Sequence, residues 1–243
     1  MSAPYADGTI RPVQIAKHML SRLLYPNPVC FLTTVAPQSS SSDGNDANAE
    51  CGWRRNLMTI SWLTPLDNDG HFICSMKSTR YSHTMLLSTN VFVLNVPVKG
   101  MESLVTAVGA CSGAVIGDKF DHLNIQICAP GWVSDGEWPP NSSKTSLEQA
   151  PPSKPKSTKQ KPMSTHHPVL AIPSCAAHLI CRVEERQERY GHYILYCVID
   201  QGFVKQEYWD GRNFAPTSEG IPPFLSFLGT KRFAYTVPAV SAT

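Results

Sequence analysis

One stretch of the chain brings cations, hydroxyls and a helix start together. From Cys74 the residues read C-S-M-K-S-T-R-Y-S-H, passing from the end of a strand into a helix. Ser75, Ser78, Thr79 and Ser82 offer hydroxyls, Lys77 and Arg80 offer positive charge, and Tyr81 stands among them. With the free backbone N–H groups of a helix start, these types make an anion site suited to a phosphate. From Gly70 to Met101 there is no Asp or Glu, where composition would give about two and a half. A plainer reading stays open, in which Ser78 or Thr79 only caps the helix and the cations are solvated.

Other chemistries fail on spacing. The eight cysteines fall at positions 30, 51, 74, 111, 128, 175, 181 and 197, with no C-x-x-C pair and no nearby pair of spaced histidines. That pattern argues against a zinc site. Cys30 in V-C-F-L and Cys197 in L-Y-C-V-I lie in apolar runs, where a free thiol acts as a small hydrophobe. The adjacent His166 and His167 have no partner cluster and read as surface residues. Gly109, Gly113 and Gly117-Asp118-Lys119 match neither G-x-x-x-x-G-K-[ST] nor G-x-G-x-x-G, and there is no G-x-S-x-G. A P-loop, a Rossmann dinucleotide turn and an α/β-hydrolase elbow are therefore not expected.

Positioning the 74–83 stretch requires a folded core, and the composition allows one. The chain has 243 residues, 42 % apolar and 16 % charged, with 21 Lys plus Arg against 19 Asp plus Glu, a net charge of +2. So even a balance argues against nucleic-acid binding by bulk electrostatics. No apolar run approaches about eighteen residues, so no membrane partner and no transmembrane helix are expected. The opening M-S-A-P-Y-A-D-G lacks a basic n-region and an apolar h-region. The expectation is therefore a cytoplasmic location with reduced thiols.

Two segments do not read as part of the core. Residues 37–52 hold almost no large apolar side chain, and residues 134–165 are rich in Pro and carry Lys144, Lys154, Lys156, Lys159 and Lys161. Neither can bury enough surface to offset its ordering entropy, so both read as loop insertions within one domain. The spacing of Ala16, Met19, Leu20, Leu23 and Leu24 predicts a helix from Val13 to Leu24. The domain then spans 25–233, after an N-terminal helical extension at 1–24 and before a tail at 234–243. Strands are predicted at 28–35, 56–63, 71–75, 91–96, 178–185, 192–200 and 202–208, with short helices at 80–89 and 101–110. Turns at Arg189-Tyr190-Gly191 and Gln201-Gly202 separate the last three strands. A mainly β chain with six or more antiparallel strands and few helices predicts a closed barrel, because closure removes exposed edges.

The order Y-P-N-P-V-C-F-L-T-T-V (25–35), N-L-M-T-I-S-W-L-T-P (56–65), S-M-K-S-T-R-Y-S-H (75–83) and F-V-L-N-V-P (92–97) resembles the flavin reductase-like family. These are FMN-binding split β-barrel proteins of Greek-key type, a group that includes flavoredoxin. S-G (112–113), D-K-F (118–120), the strand around Cys181, the G-H turn at 191–192, W-D-G-R (209–212) and L-G-T-K-R-F (228–233) extend the match. The sequence departs from the family at Ser82, where relatives often have Thr, at Ile180, where a carboxylate is common, and at Thr230, which replaces a glycine.

The resemblance implies that the segment from Asn56 through Met58, Thr59 and Ser61 to Trp62 lies along the isoalloxazine ring. Thr59 and Ser61 would bond its polar edge, and Trp62 would flank it. On a strand both hydroxyls share one face, opposite Met58, Ile60 and Trp62. Ser75, Lys77, Ser78, Thr79, Arg80, Tyr81 and Ser82 would hold the ribityl phosphate, in line with the anion site read above. Asn95 would lie where a strand approaches the flavin. The implied reaction is hydride transfer from NADH or NADPH to FMN, the protein binding and orienting the cofactor. The reduced flavin would serve a small-molecule or protein electron acceptor. Proteins of this fold are usually homodimers with flavin at or near the interface. Two other readings stay open: an FMN electron carrier without nicotinamide turnover, and a non-flavin barrel that uses the lysine-rich loop for RNA or anionic surfaces.

Overall fold

The computed structural model describes residues 14–24, 27–38, 52–132 and 168–236. The interiors of both expected insertions, at 37–52 and 134–165, lie outside those residues. Of the predicted N-terminal helix, Lys17–Leu24 forms a 3₁₀ helix whose Leu20, Leu23 and Leu24 are exposed.

Apolar alternation builds the main sheet. β2 (Cys30–Pro37), β3 (Trp53–Ile60), β4 (Leu63–Pro65), β5 (His71–Lys77), β6 (Val91–Val96), β7 (Ala177–Arg189) and β8 (His192–Val204) form one antiparallel sheet in the order β3-β2-β6-β7-β8-β5-β4. Cys30 and Leu32 of β2, Met58 and Ile60 of β3, and Phe72, Cys74 and Met76 of β5 all belong to a single core cluster. Strands near opposite ends of the order can share one core only if the sheet curls around it, which the right-handed twist of strands favours. A smaller sheet, β1-β9-β10, is made by β1 (Asn27–Pro28), β9 (Phe224–Gly229) and β10 (Arg232–Thr236). The last three residues described, Ala234 to Thr236, are therefore strand where a tail was expected.

The outer face of the curl carries the second core. Phe31 and Val35 of β2 and Leu57 of β3 pack there with Val105 and Val108 of α2 (Glu102–Ala110), and with Phe120, Leu170, Ile172 and Cys175. β2 is thus covered on both sides, and seven of its eight residues are buried. A helix α1 (Tyr81–Thr89) follows β5 and ends on Asn90 in the left-handed conformation, φ 58°. Arg186 fastens that end, its guanidinium donating to Leu86 O at 2.8 Å and to Asn90 Oδ1.

Turn chemistry explains one expectation that holds and one that does not. At Tyr190 and Gly191, φ is 52° and 71°, the two left-handed residues that a tight hairpin between twisted strands requires. At Gln201-Gly202 there is no turn, and β8 runs through to Val204. Its register with β7 shifts there, Ile180 facing Gln201 and Cys181 facing Ile199, so Asp200 is the extra residue of a bulge. The polar and glycine residues that read as a turn serve a bend within one long strand, and Gln206–Tyr208 forms a 3₁₀ turn instead of a further strand.

Both insertion roots are tied to the sheet. β2 and β3 stay paired to Pro37 and Trp53, beyond which the Gln38 N–H donates to Gly52 O at 2.7 Å. At the other root, Gly131 and Trp132 rest on His178, a fully buried residue of β7. The Gly131 N–H donates to His178 Nδ1 at 3.2 Å, and His178 Nε2 lies 2.9 Å from Ile172 O. A carbonyl only accepts, so Nε2 bears the proton and the ring is neutral. The Trp132 ring lies on the imidazole at 4.1 Å and its indole N–H donates to Pro173 O.

Burial lowers the His178 pKa from 6.5 to about 4, with the Ile172 bond opposing the shift and Lys205 adding to it. The unfolded chain therefore takes up the proton first, and this contribution to stability is complete above pH 6.5 and lost as pH falls towards 4. Between pH 7 and pH 5 the native protein should lose about 2 kcal/mol more stability than its His178→Gln variant. Urea unfolding at both pH values checks this, and equal losses would refute it.

Candidate functional site

A cleft of about 300 Å³ opens at the rim of the curled sheet. Three pieces of chain line it: Asn56, Met58 and Thr59 of β3; Lys77, Thr79, Arg80, Tyr81 and Ser82 from the end of β5 into α1; and the segment from Val108 to the start of α3 (Gly113–Ile116), with Lys119. Pairing of β2 with β3 sets Asn56 opposite Thr34, which carries its side chain to the rim facing α1.

Asn56 is 1 % exposed, and its amide donates to Ser82 Oγ at 2.8 Å. Its Oδ1 is buried and accepts no hydrogen bond. Such an orphan acceptor calls for an explanation, and a donor on a ligand in the cleft would satisfy it. The backbone opposite leaves room for this atom. A Cβ at Gly113 would sit 2.4 Å from Asn56 Oδ1 and 3.0 Å from Tyr81 Cδ1, and one at Gly109 would sit 3.2 Å from Thr59 Oγ1.

The charge on this wall is positive and uncompensated. Among the described residues no ion pair includes Lys77, Arg80 or Lys119. The acids nearby are engaged elsewhere: Arg55 binds Asp118, and it binds Asp121 at 2.6 Å. Asp118 also caps α4 (Lys119–His122) through the Phe120 N–H at 2.8 Å. Lys119 is only 3 % exposed, and its Nζ donates to Val108 O at 3.0 Å. Burial lowers its ammonium pKa, with neighbouring Cys111 opposing the shift and Arg80 adding to it. A buried cation without a carboxylate is costly unless an anion joins it.

The start of α1 suits that anion. Arg80 occupies the N-cap with extended backbone, and no side chain caps the helix. Ser78, one of the two expected caps, instead donates its hydroxyl to Gly191 O at 3.0 Å. Of the first turn, the His83 N–H donates to Arg80 O at 3.0 Å, and the N–H groups of Tyr81 and Ser82 meet no side-chain cap.

Eight of the thirteen residues expected at a flavin site meet in this cleft: Asn56, Met58, Thr59, Lys77, Thr79, Arg80, Tyr81 and Ser82. Five do not line it. β3 ends at Ile60, so Ser61 and Trp62 follow the strand and the expected Thr59–Ser61 alternation breaks there. The Trp62 ring stacks on His192 at 5.5 Å. Ser75 lies on the half-buried face of β5, its N–H donating to Trp62 O at 2.8 Å, and Ser78 is held at the β7–β8 hairpin. Asn95 is fully buried and its amide is satisfied internally, donating to Phe31 O, Thr33 Oγ1 and Val93 O and accepting from the Ile172 N–H at 2.8 Å. It joins two strands to the segment at 172 and does not face the cleft. The lining residues not singled out as site members are Val108, Gly109, Cys111, Ser112, Gly113 and Lys119. The S-G and D-K-F matches cover three of these six, Ser112, Gly113 and Lys119, only as landmarks, since a lysine beside an aspartate reads as surface.

Fold and cleft define a class: a curled antiparallel β protein with a cationic, anion-ready cleft at its rim. The chain belongs to the family described as the flavin reductase like domain, whose model matches residues 20–217. Flavoredoxin from Methanosarcina acetivorans has a similar structure, with TM-score 0.58, 16 % identity and coverage of 96 % of this chain and 95 % of that one. An FMN-binding protein from Thermus thermophilus superposes with TM-score 0.61 at 14 % identity, covering 97 % and 99 %. An NADH:FAD oxidoreductase from Streptomyces globisporus gives TM-score 0.53 at 14 % identity, covering 95 % and 99 %. At such identities the likeness is one of fold. No curated protein sequence matches the chain significantly.

The close approach at Gly113 makes a direct prediction. Gly113→Ala should lower the unfolding free energy by about 1–3 kcal/mol, because Asn56 and Tyr81 must give way. Gly202→Ala, where nothing lies within 4 Å of the new methyl, is the control and should be neutral or slightly stabilising. Equal effects in urea titrations would mean that the Asn56 wall is soft.

Proposed function

We propose that the chain is an FMN-binding cytoplasmic oxidoreductase of the flavin reductase type, using NADH or NADPH to reduce its flavin. One observation carries the reading: three cations that no ion pair among the described residues compensates, and a buried amide whose oxygen accepts no hydrogen bond, belong to residues lining one cleft in a chain of this family. The residues present fit the cofactor. Lys77, Thr79 and Arg80, with the first turn of α1, would hold the phosphate dianion by charge-assisted bonds. Asn56 Oδ1 would accept from a hydroxyl or ring N–H, and the bond to Ser82 Oγ fixes which end of the amide is the oxygen. FMN, when bound, supplies the acceptance of a hydride and its release to a small-molecule or protein acceptor.

Among the described residues no helix is long and apolar enough to cross a membrane. We assign the working unit as a homodimer with the flavin near its interface. Tyr190 supports a protein contact beside the cleft, being 98 % exposed at the hairpin tip whose Gly191 carbonyl holds Ser78. A second reading, an FMN electron carrier without nicotinamide turnover, is favoured by the fold shared with flavoredoxin.

The visible spectrum of the purified protein, recorded before and after anaerobic NADH or NADPH, tests both readings. A flavin spectrum that bleaches supports the reductase, one that persists supports the carrier, and a protein that stays colourless with FMN refutes both. Replacing Lys77 and Arg80 together by Ala should weaken FMN at least about tenfold while leaving riboflavin affinity nearly unchanged. Equal losses for the two flavins would show that these side chains do not meet the phosphate.

A further inference from the structure

Among the described residues the cysteines divide sharply by surroundings. Cys30, Cys74, Cys175, Cys181 and Cys197 are buried, while Cys111 and Cys128 are partly exposed. Burial pushes the Cys30 thiol up to about 12 and raises that of Cys128 as well. Cys128 is also held in a backbone bridge with Ala171. Among the described residues Cys111 is the one cysteine that lines the cleft.

Its position follows from the end of α2. Cys111 is the C-cap residue with extended backbone, φ −113° and ψ 157°, and its side chain turns back over the last turn. Sγ lies 3.3 Å from Ala107 O and 3.8 Å from Val108 O. The latter oxygen also takes the 3.0 Å bond from Lys119 Nζ. Thiol and buried ammonium therefore converge on one carbonyl, with Arg80 close enough to act on the same ammonium. Thiols that are partly exposed and sit beside uncompensated cations are the nucleophilic ones. A second, independent feature marks the same cleft as built for a ligand: the orphaned Asn56 Oδ1, on a side chain 1 % exposed.

We infer that Cys111 is an oxidative modification site, a thiol inside the cleft that hydrogen peroxide converts to a sulfenic acid and thereby closes the cleft to its anionic ligand. The inference rests on the cleft being a ligand site and not on which ligand fills it. In the step, the Cys111 thiolate attacks one peroxide oxygen, an S–O bond forms and the O–O bond breaks. Hydroxide leaves and takes up a proton, the sulfur loses two electrons and the peroxide gains them. Lys119, whose ammonium shares the Val108 carbonyl with the sulfur, would pair with the sulfenate that forms. The added oxygen then lies beside the cations that a phosphate would use. A thiol reductant restores the cysteine.

The test uses the full chain. Iodoacetamide labelling is followed peptide by peptide, with and without FMN or inorganic phosphate, and sulfenic acid is trapped with dimedone after peroxide. Cys111 should label at least about tenfold faster than Cys128, and its dimedone adduct should disappear in Cys111→Ser. Saturating FMN should slow Cys111 labelling at least about tenfold, since a filled cleft covers the sulfur. A protein that stays colourless with FMN but still labels fastest at Cys111 would remove the flavin reading and leave this one standing. Labelling of Cys111 no faster than of Cys128, no adduct at Cys111, or bound FMN without protection would each overturn it.

Discussion

The covering of β2 on both faces is the constraint on which the rest depends. A strand whose alternate residues are all buried must have a packed layer on either side. Cys30 and Leu32 demand the inside of the curl, Phe31 and Val35 demand the α2 layer, and neither demand can be met by a flat sheet. Once β2 is fixed, its pairing fixes β3, and β3 places Asn56, Met58 and Thr59 where the inner and outer layers meet. The cleft lies at that seam. Its walls come from both layers, so its geometry is a by-product of how β2 is buried.

At the seam, charge is sorted by distance. Arg55 binds both Asp118 and Asp121, which removes the nearest carboxylates from the neighbourhood of Lys119. Its guanidinium also lies over the Phe120 ring at 5.3 Å, which holds it on the outer layer. What remains facing inward is one sign only. A single-sign wall with a low-dielectric floor attracts an anion more strongly than the same charges would on an open surface.

Much of this was legible because it is periodic or positional. The run of β-formers at 71–75 gave the strand β5, and the hydroxyl and cation run from Ser75 to Ser82 gave the helix-start half of the cleft. The second half was not legible for a physical reason. Burial of Lys119 depends on α4 folding back against the end of α2, a tertiary event that leaves no pattern around a D-K-F triplet. The errors have the same origin. Gln201-Gly202 has turn composition, but the pairing of β7 with β8 continues past it and absorbs the extra residue as a bulge. Asn95 looks like a polar site residue on a strand, yet the backbone at Ile172 comes to meet it from the far side.

The bond from the Gln38 N–H to Gly52 O has a bearing on how such a protein can change over time. It shuts the β2–β3 ladder at its open end, so the alignment of β3, and with it the cleft wall, is decided entirely by residues below that bond. Register is thereby carried by the paired residues themselves, from Cys30 and Ile60 to Pro37 and Trp53. For a lineage or a protein engineer that bond is a fixed take-off point, a defined place on the ladder from which a tether or a fluorophore can be mounted.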